Sequence, residues 1–337
     1  MTKKDKSTFN IFTEAVGLYF SNIDKFIKYM SFPVLGQIFG LYLVFGTAYL
    51  YFANIDKLIL KYPALNSFSS LLIISLLITL PGLAIFCKAF WEYLIAYGSV
   101  NSMLENMLKS GRVYDFSAHN ELITSRSFSF IGLWFILGIF SIIGICPLFW
   151  IICGVLAIYF ILVFQVFTFE PNLSPFGCIK KSFMLIKGHL AQTILLIVLV
   201  SALTYFLIPQ LILKAFDGTG LCLLLTKSIM PFINLLPELH LEEYGMKSIT
   251  HSDIGLIVIQ SAIAQIFIQY TLPLRSIMWS LWYKELNKGL PDIEYHTKTT
   301  KKRKNSKRPS EKLMEATNKK YKLDKNIIKR AAEKDED

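Results

Sequence analysis

Charged and amide side chains set inside long apolar runs are the residues whose type and spacing invite a chemical role. Lys88 and Glu92 stand one helical turn apart at the end of one such run, where ammonium and carboxylate can pair. Gln265 and Gln269 share a helix face in another run, and Arg275 stands just beyond it. Ionisable groups in hydrocarbon are costly, so they mark a polar path for a substrate or ion, and amides there can also join helices by hydrogen bonds. Snorkelling to the membrane boundary accounts for Lys88 as well. A second set is cationic: Lys180, Lys181 and Lys187 on a short helix, and Lys301, Lys302, Arg303 and Lys304 in a basic block. Each such cation beside a membrane adds about 1 kcal/mol of attraction to anionic lipid.

Covalent chemistry has no comparable footing. The chain has no Gly-rich phosphate loop ending in Lys-Ser/Thr, no Gly-x-Ser-x-Gly elbow and no His-Glu-x-x-His. Asp217-Gly218-Thr219-Gly220 reads as a plain turn. His119, His189, His240, His251 and His296 are dispersed, with no pair at metal-ligand spacing on one helix. Cys87, Cys146, Cys153, Cys178 and Cys222 sit in or beside apolar segments without paired spacing, as small buried hydrophobes. The expectation is therefore no enzyme, no catalytic residue, no cofactor and no metal.

The elements that must position these residues are membrane helices. Ser127 to Phe169 contains no Asp, Glu, Lys or Arg. As one helix it would be about 65 Å long, twice the roughly 30 Å hydrocarbon core of a bilayer. Gly144-Ile145-Cys146-Pro147 cuts it into two spans. The same reading along the chain predicts an all-α integral membrane protein, a six-span helical bundle with spans near 30–53, 68–96, 127–144, 147–169, 190–213 and 254–274. Gly36 and Gly40 in the first span form a step at which another backbone can approach closely. Residues 214–252 read as an outer loop with a re-entrant or membrane-touching helix, broken by Pro231 and Pro237.

Shorter helices flank the spans. Residues 1–28 are expected to form a separate amphipathic surface helix, with Phe9, Phe12, Val16, Tyr19 and Phe20 on its apolar side. Ser174 followed by Pro175 starts another, with Phe176, Ile179, Phe183 and Ile186 opposite the lysines and Gly188 at its end. Arg275, Trp279, Trp282, Tyr283 and Lys284 look like an interface belt after the last span. No short apolar core followed by a cleavage site stands at the N-terminus, so no cleaved signal peptide is expected. The net charge of +11 comes mostly from a tail: His296 to Asp337 has 15 Lys or Arg against 7 acids, a surplus of 15 − 7 = 8. Residues 291–337 are thus expected to be a disordered basic tail. Lys and Arg counts beside the spans put the basic loops, the tail and both termini in the cytosol.

Phe169-Glu170-Pro171-Asn172-Leu173-Ser174-Pro175-Phe176-Gly177-Cys178-Ile179-Lys180-Lys181-Ser182-Phe183-Met184-Leu185-Ile186-Lys187-Gly188 resembles a recurring stretch in one bacterial family. That family is the membrane domain of glycerophosphoryl diester phosphodiesterases and its stand-alone relatives. Phe12-Thr13-Glu14-Ala15, Asn22-Ile23-Asp24-Lys25-Phe26 and Ser280-Leu281-Trp282-Tyr283-Lys284-Glu285-Leu286 resemble it too, for a coverage of about residues 8–290. The resemblance implies a membrane module without catalysis, since the phosphodiesterase barrel of about 250 residues has no room here.

The leading expectation is a non-enzymatic multi-pass inner-membrane protein of envelope or lipid homeostasis, a scaffold or lipid handler whose partner is the bilayer's anionic lipid. A transporter or channel with a polar path through Gln265, Gln269 and Arg275 is the first alternative. An insertase-like protein with a ribosome-binding or protein-binding tail is the second. Nucleic acid is not the expected partner.

Overall fold

The computed structural model describes residues 7–113, 116–235 and 249–288. Among these every regular element is a helix. In chain order they are α1 (Thr8–Phe20), α2 (Ile23–Ala53), α3 (Ile55–Lys61), α4 (Phe68–Ser110), α5 (Phe116–Thr124), α6 (Ser127–Ile143), α7 (Trp150–Phe160), α8 (Val163–Phe169), α9 (Pro175–Ile186), α10 (Leu190–Ser201), α11 (Ile208–Gly218), α12 (Leu221–Ile233), α13 (His251–Tyr270) and α14 (Leu272–Asn287). A π-helical turn, Ala202–Leu207, joins α10 to α11. Five stretches are long and apolar enough to cross a membrane: α2, α4, Pro147–Phe169, Leu190–Gly218 and His251–Asn287. The pair α5 and α6, bent by 74°, makes a sixth if counted as one span. α12 has 13 residues, about 20 Å, too short to cross.

The local signals act where expected. Gly111 ends α4 in the left-handed region at φ 71°, leaving its N–H to cap Met107. The Ser174 hydroxyl accepts from the Gly177 N–H at 3.2 Å and Pro175 opens α9. Pro147 opens a 3₁₀ turn between α6 and α7. α2 and α4 form an antiparallel hairpin: Asn22 Nδ2 donates to the Gly111 carbonyl at one end, and the Tyr51 hydroxyl to the Leu71 carbonyl at the other. A Cβ on Gly36 would lie 2.8 Å from Ala89 Cβ, and one on Gly40 2.6 Å from Phe86 N. The two glycines are what allows these backbones to touch.

α4 continues past 96 as one helix to Ser110 and buries Met103, Leu104 and Met107. α1 has one covered side. It buries Ile11, Ala15 and Tyr19 and packs on α14 and α10, while Phe9 and Phe20 stay exposed. The described residues all fall in one compact unit that ends at Gly289. One expectation is corrected, at α14. It is no aromatic belt, since Trp279, Trp282 and Tyr283 are buried, as are Leu272, Leu274, Ser276, Ile277, Met278 and Ser280. A helix covered on every side is a core helix. α1, α4, α8 and α9 pack around it. Side chains such as Leu72, Leu76, Leu80, Ile151 and Val198 remain exposed, as a hydrocarbon solvent requires. The tail 291–337 lies outside the described residues.

Candidate functional site

The polar side chains of the bundle meet at three places around α14. The first is centred on Asn101 of α4, fully buried. Its Oδ1 accepts from Gln165 Nε2 at 3.2 Å, from the Ser280 hydroxyl at 3.0 Å and from the Ser276 hydroxyl. The small Ser276 and Ser280, one turn apart, let α4 close on α14. Buried amides and hydroxyls are tolerated only when so paired, and the pairing fixes which helix faces meet.

The second place is Glu170, just after α8. Tyr283 donates its hydroxyl to Glu170 Oε1 at 2.5 Å, and the Lys181 ammonium makes an ion pair with the same oxygen. Phe169 stacks on Tyr283 at 5.1 Å. Lys181 differs from the expectation: it is buried on the inner side of α9 with Cys178, Ser182 and Leu185. Burial in this setting pushes the Cys178 thiol up to about 11. Lys180 and Lys187 are exposed. They share the outer side of α9 with the exposed Phe176, Phe183 and Met184, so the apolar side of α9 is rotated relative to the reading from sequence.

The third place is Arg275. Its Nη1 donates to the Tyr205 hydroxyl and its Nη2 to the Ile268 carbonyl at 3.1 Å. The guanidinium lies 5.2 Å from the Tyr205 ring centroid. Tyr93 and Tyr97 are within its electrostatic reach. Among the described residues it makes no ion pair. Gln269 is half-buried, and Gln265, one turn before it on α13, is exposed. Lys88 and Glu92 do not pair; the Lys88 ammonium lies 5.4 Å from the Phe32 ring centroid, beside a groove lined by Phe32, Leu35, Gly36, Phe39 and Ile85. Among the described residues no hydrogen bond or ion pair joins Lys88 or Glu92 to Gln265, Gln269 or Arg275. Lys301, Lys302, Arg303 and Lys304 lie outside the described residues. No group of three or more His, Cys, Asp or Glu that could hold a metal occurs among the described residues.

Asn101, Tyr205, Glu170 and Tyr97 carry these places together with Gln165; of the five only Gln165 stands among the intramembrane polar candidates of the sequence, as a possible link between helices. Gln165 and Asn101, polar positions in helical apolar patterns, were the signals available. The meeting of Tyr205 with Arg275 depends on the π turn, which has no sequence signature here.

No protein-family model matches the chain, no curated protein matches it, and no solved structure matches it. The resemblance of 8–290 to the phosphodiesterase-associated membrane domain thus rests on the residues quoted above.

Proposed function

We propose that this is a non-enzymatic multi-pass protein of a bacterial inner membrane that handles or organises anionic lipid on the cytosolic leaflet, within a six-span bundle whose termini and basic tail face the cytosol. The observation that carries it is the outer side of α9. Phe176, Lys180, Phe183, Met184 and Lys187 lie on one exposed side of a capped helix. Aromatic and thioether groups beside two free ammonium groups suit the headgroup boundary, where rings enter the acyl layer and cations meet phosphate.

The test separates the lysines by environment. In the purified protein, Lys180→Gln with Lys187→Gln lowers the enrichment of phosphatidylglycerol over phosphatidylcholine among co-purified lipids and leaves the melting temperature nearly unchanged. Lys181→Gln does the reverse, because it removes the partner of Glu170. Equal lipid enrichment in the double variant and the parent would reject the reading. Transport along Gln265, Gln269 and Arg275 draws less support, because among the described residues no hydrogen bond joins either glutamine to Arg275. An insertase role would rest on the tail.

A further inference from the structure

Four buried side-chain polar atoms among the described residues have no hydrogen-bond partner: Trp134 Nε1, Gln165 Oε1, Gln269 Oε1 and Arg275 Nε. Three of them lie near Tyr97. Trp134 and Gln165 are its neighbours, the Trp134 ring lying 6.1 Å from the Tyr97 ring. Arg275 is within electrostatic reach of it. Native interiors leave few such atoms, and a cluster of them marks a guest such as water, an ion or a ligand.

Arg275 decides the kind of guest. Its charge has no carboxylate within ion-pair distance among the described residues, and its two hydrogen bonds go to neutral oxygens. A guanidinium in apolar surroundings is costly unless an anion or water meets it. Its Nε–H is still unused, and the planar fork suits a tetrahedral oxyanion. Tyr205 reaches Arg275 from the π turn Ala202–Leu207, and such turns recur at functional sites. Tyr205 is 47% exposed, so the cluster opens to the outer surface of the bundle.

We infer that Arg275, with Tyr205 and Tyr93 beside it, binds a single phosphate group within the bundle. The guanidinium supplies the charge and the free Nε–H. The two tyrosine hydroxyls donate to further phosphate oxygens. The phosphate belongs either to a lipid headgroup entering beside Tyr205 or to a free solute. This site does not rest on the α9 side, and each can fail without the other.

The full chain in maltoside detergent is titrated with sodium phosphate, with phosphatidylglycerol and with a phosphate-free glycolipid, reading the melting temperature by intrinsic fluorescence. The expected result is a saturable rise with a phosphate-bearing ligand and none with the glycolipid. A rise with phosphatidylglycerol alone assigns a lipid phosphate; a rise with sodium phosphate assigns a solute. Arg275→Gln weakens the response about tenfold or more, the loss of one charge-assisted contact. Tyr205→Phe, which keeps the ring, weakens it severalfold and guards against an Arg275 variant that fails to fold. No saturable response in the parent, an equal response to the glycolipid, or unchanged affinity in Tyr205→Phe and in a folded Arg275→Gln overturns the site.

Discussion

Replacing Gly40 with alanine probes the tightest contact in the bundle. The added Cβ would lie 2.6 Å from Phe86 N and 2.8 Å from the Gly82 carbonyl oxygen. Ordinary contact begins at about 3.5 Å, a shortfall of about 0.9 Å. Both obstacles are main chain inside α4, so no side chain can swing aside, and the α2–α4 hairpin must part. A gap of about 0.5–1 Å forfeits a quarter to a half of each dispersion contact along the seam. Overpacking of this kind costs about 1–3 kcal/mol. Gly46 lies in the same helix and has nothing within 4 Å of its would-be Cβ. There alanine adds only its helix preference, up to about 1 kcal/mol of stabilisation. The helix preference is common to both positions, so equilibrium unfolding in mixed micelles of maltoside and dodecyl sulfate, followed by circular dichroism, should separate Gly40→Ala from Gly46→Ala by about 1–3 kcal/mol, Gly40→Ala being the weaker. Two variants equal within about 0.5 kcal/mol would refute the close-approach argument.

Two further outcomes follow from buried polar groups. Asn101→Ala strands the Gln165 and Ser280 donors together, Ser276 keeping the Tyr97 carbonyl, and should cost about 2–4 kcal/mol, well beyond the cost of Asn106→Ala, whose ring partner His119 keeps its bond to Ser102; similar losses at the two positions would count against a central role for Asn101. The Cys178 thiol is held protonated in the fold, with a value near 11 against 9.0 when free, so maleimide at pH 8 should label it far more slowly than the same thiol in unfolded chain. The sign extends to stability: the unfolded thiol ionises first, so Cys178 favours the fold below pH 9 and that contribution is lost between about pH 9 and 11. A Cys178→Ala variant with the same alkaline midpoint as the parent would remove this link.

Hydropathy along the chain was sufficient for the long apolar helices, because the cost of an unpaired peptide in hydrocarbon leaves a stretch such as Ser127–Ile143 little choice but helix. Gly111, Pro147 and Ser174-Pro175 are local rules too, and each ends or starts a helix where it stands. Lateral neighbours are another matter. Trp279, Trp282 and Tyr283 suit a headgroup belt or a core equally well, and only the helices packed around α14 make them core. Lys181 and Lys180 are adjacent in the chain, yet one meets Glu170 indoors and the other meets the surroundings, because α9 is turned by what it packs against. Tyr205 and Arg275 lie 70 residues apart, and a π turn brings them together. Periodicity specifies that a helix has two faces; which face is covered is decided by neighbours distant in sequence, through contacts that no stretch of chain contains alone.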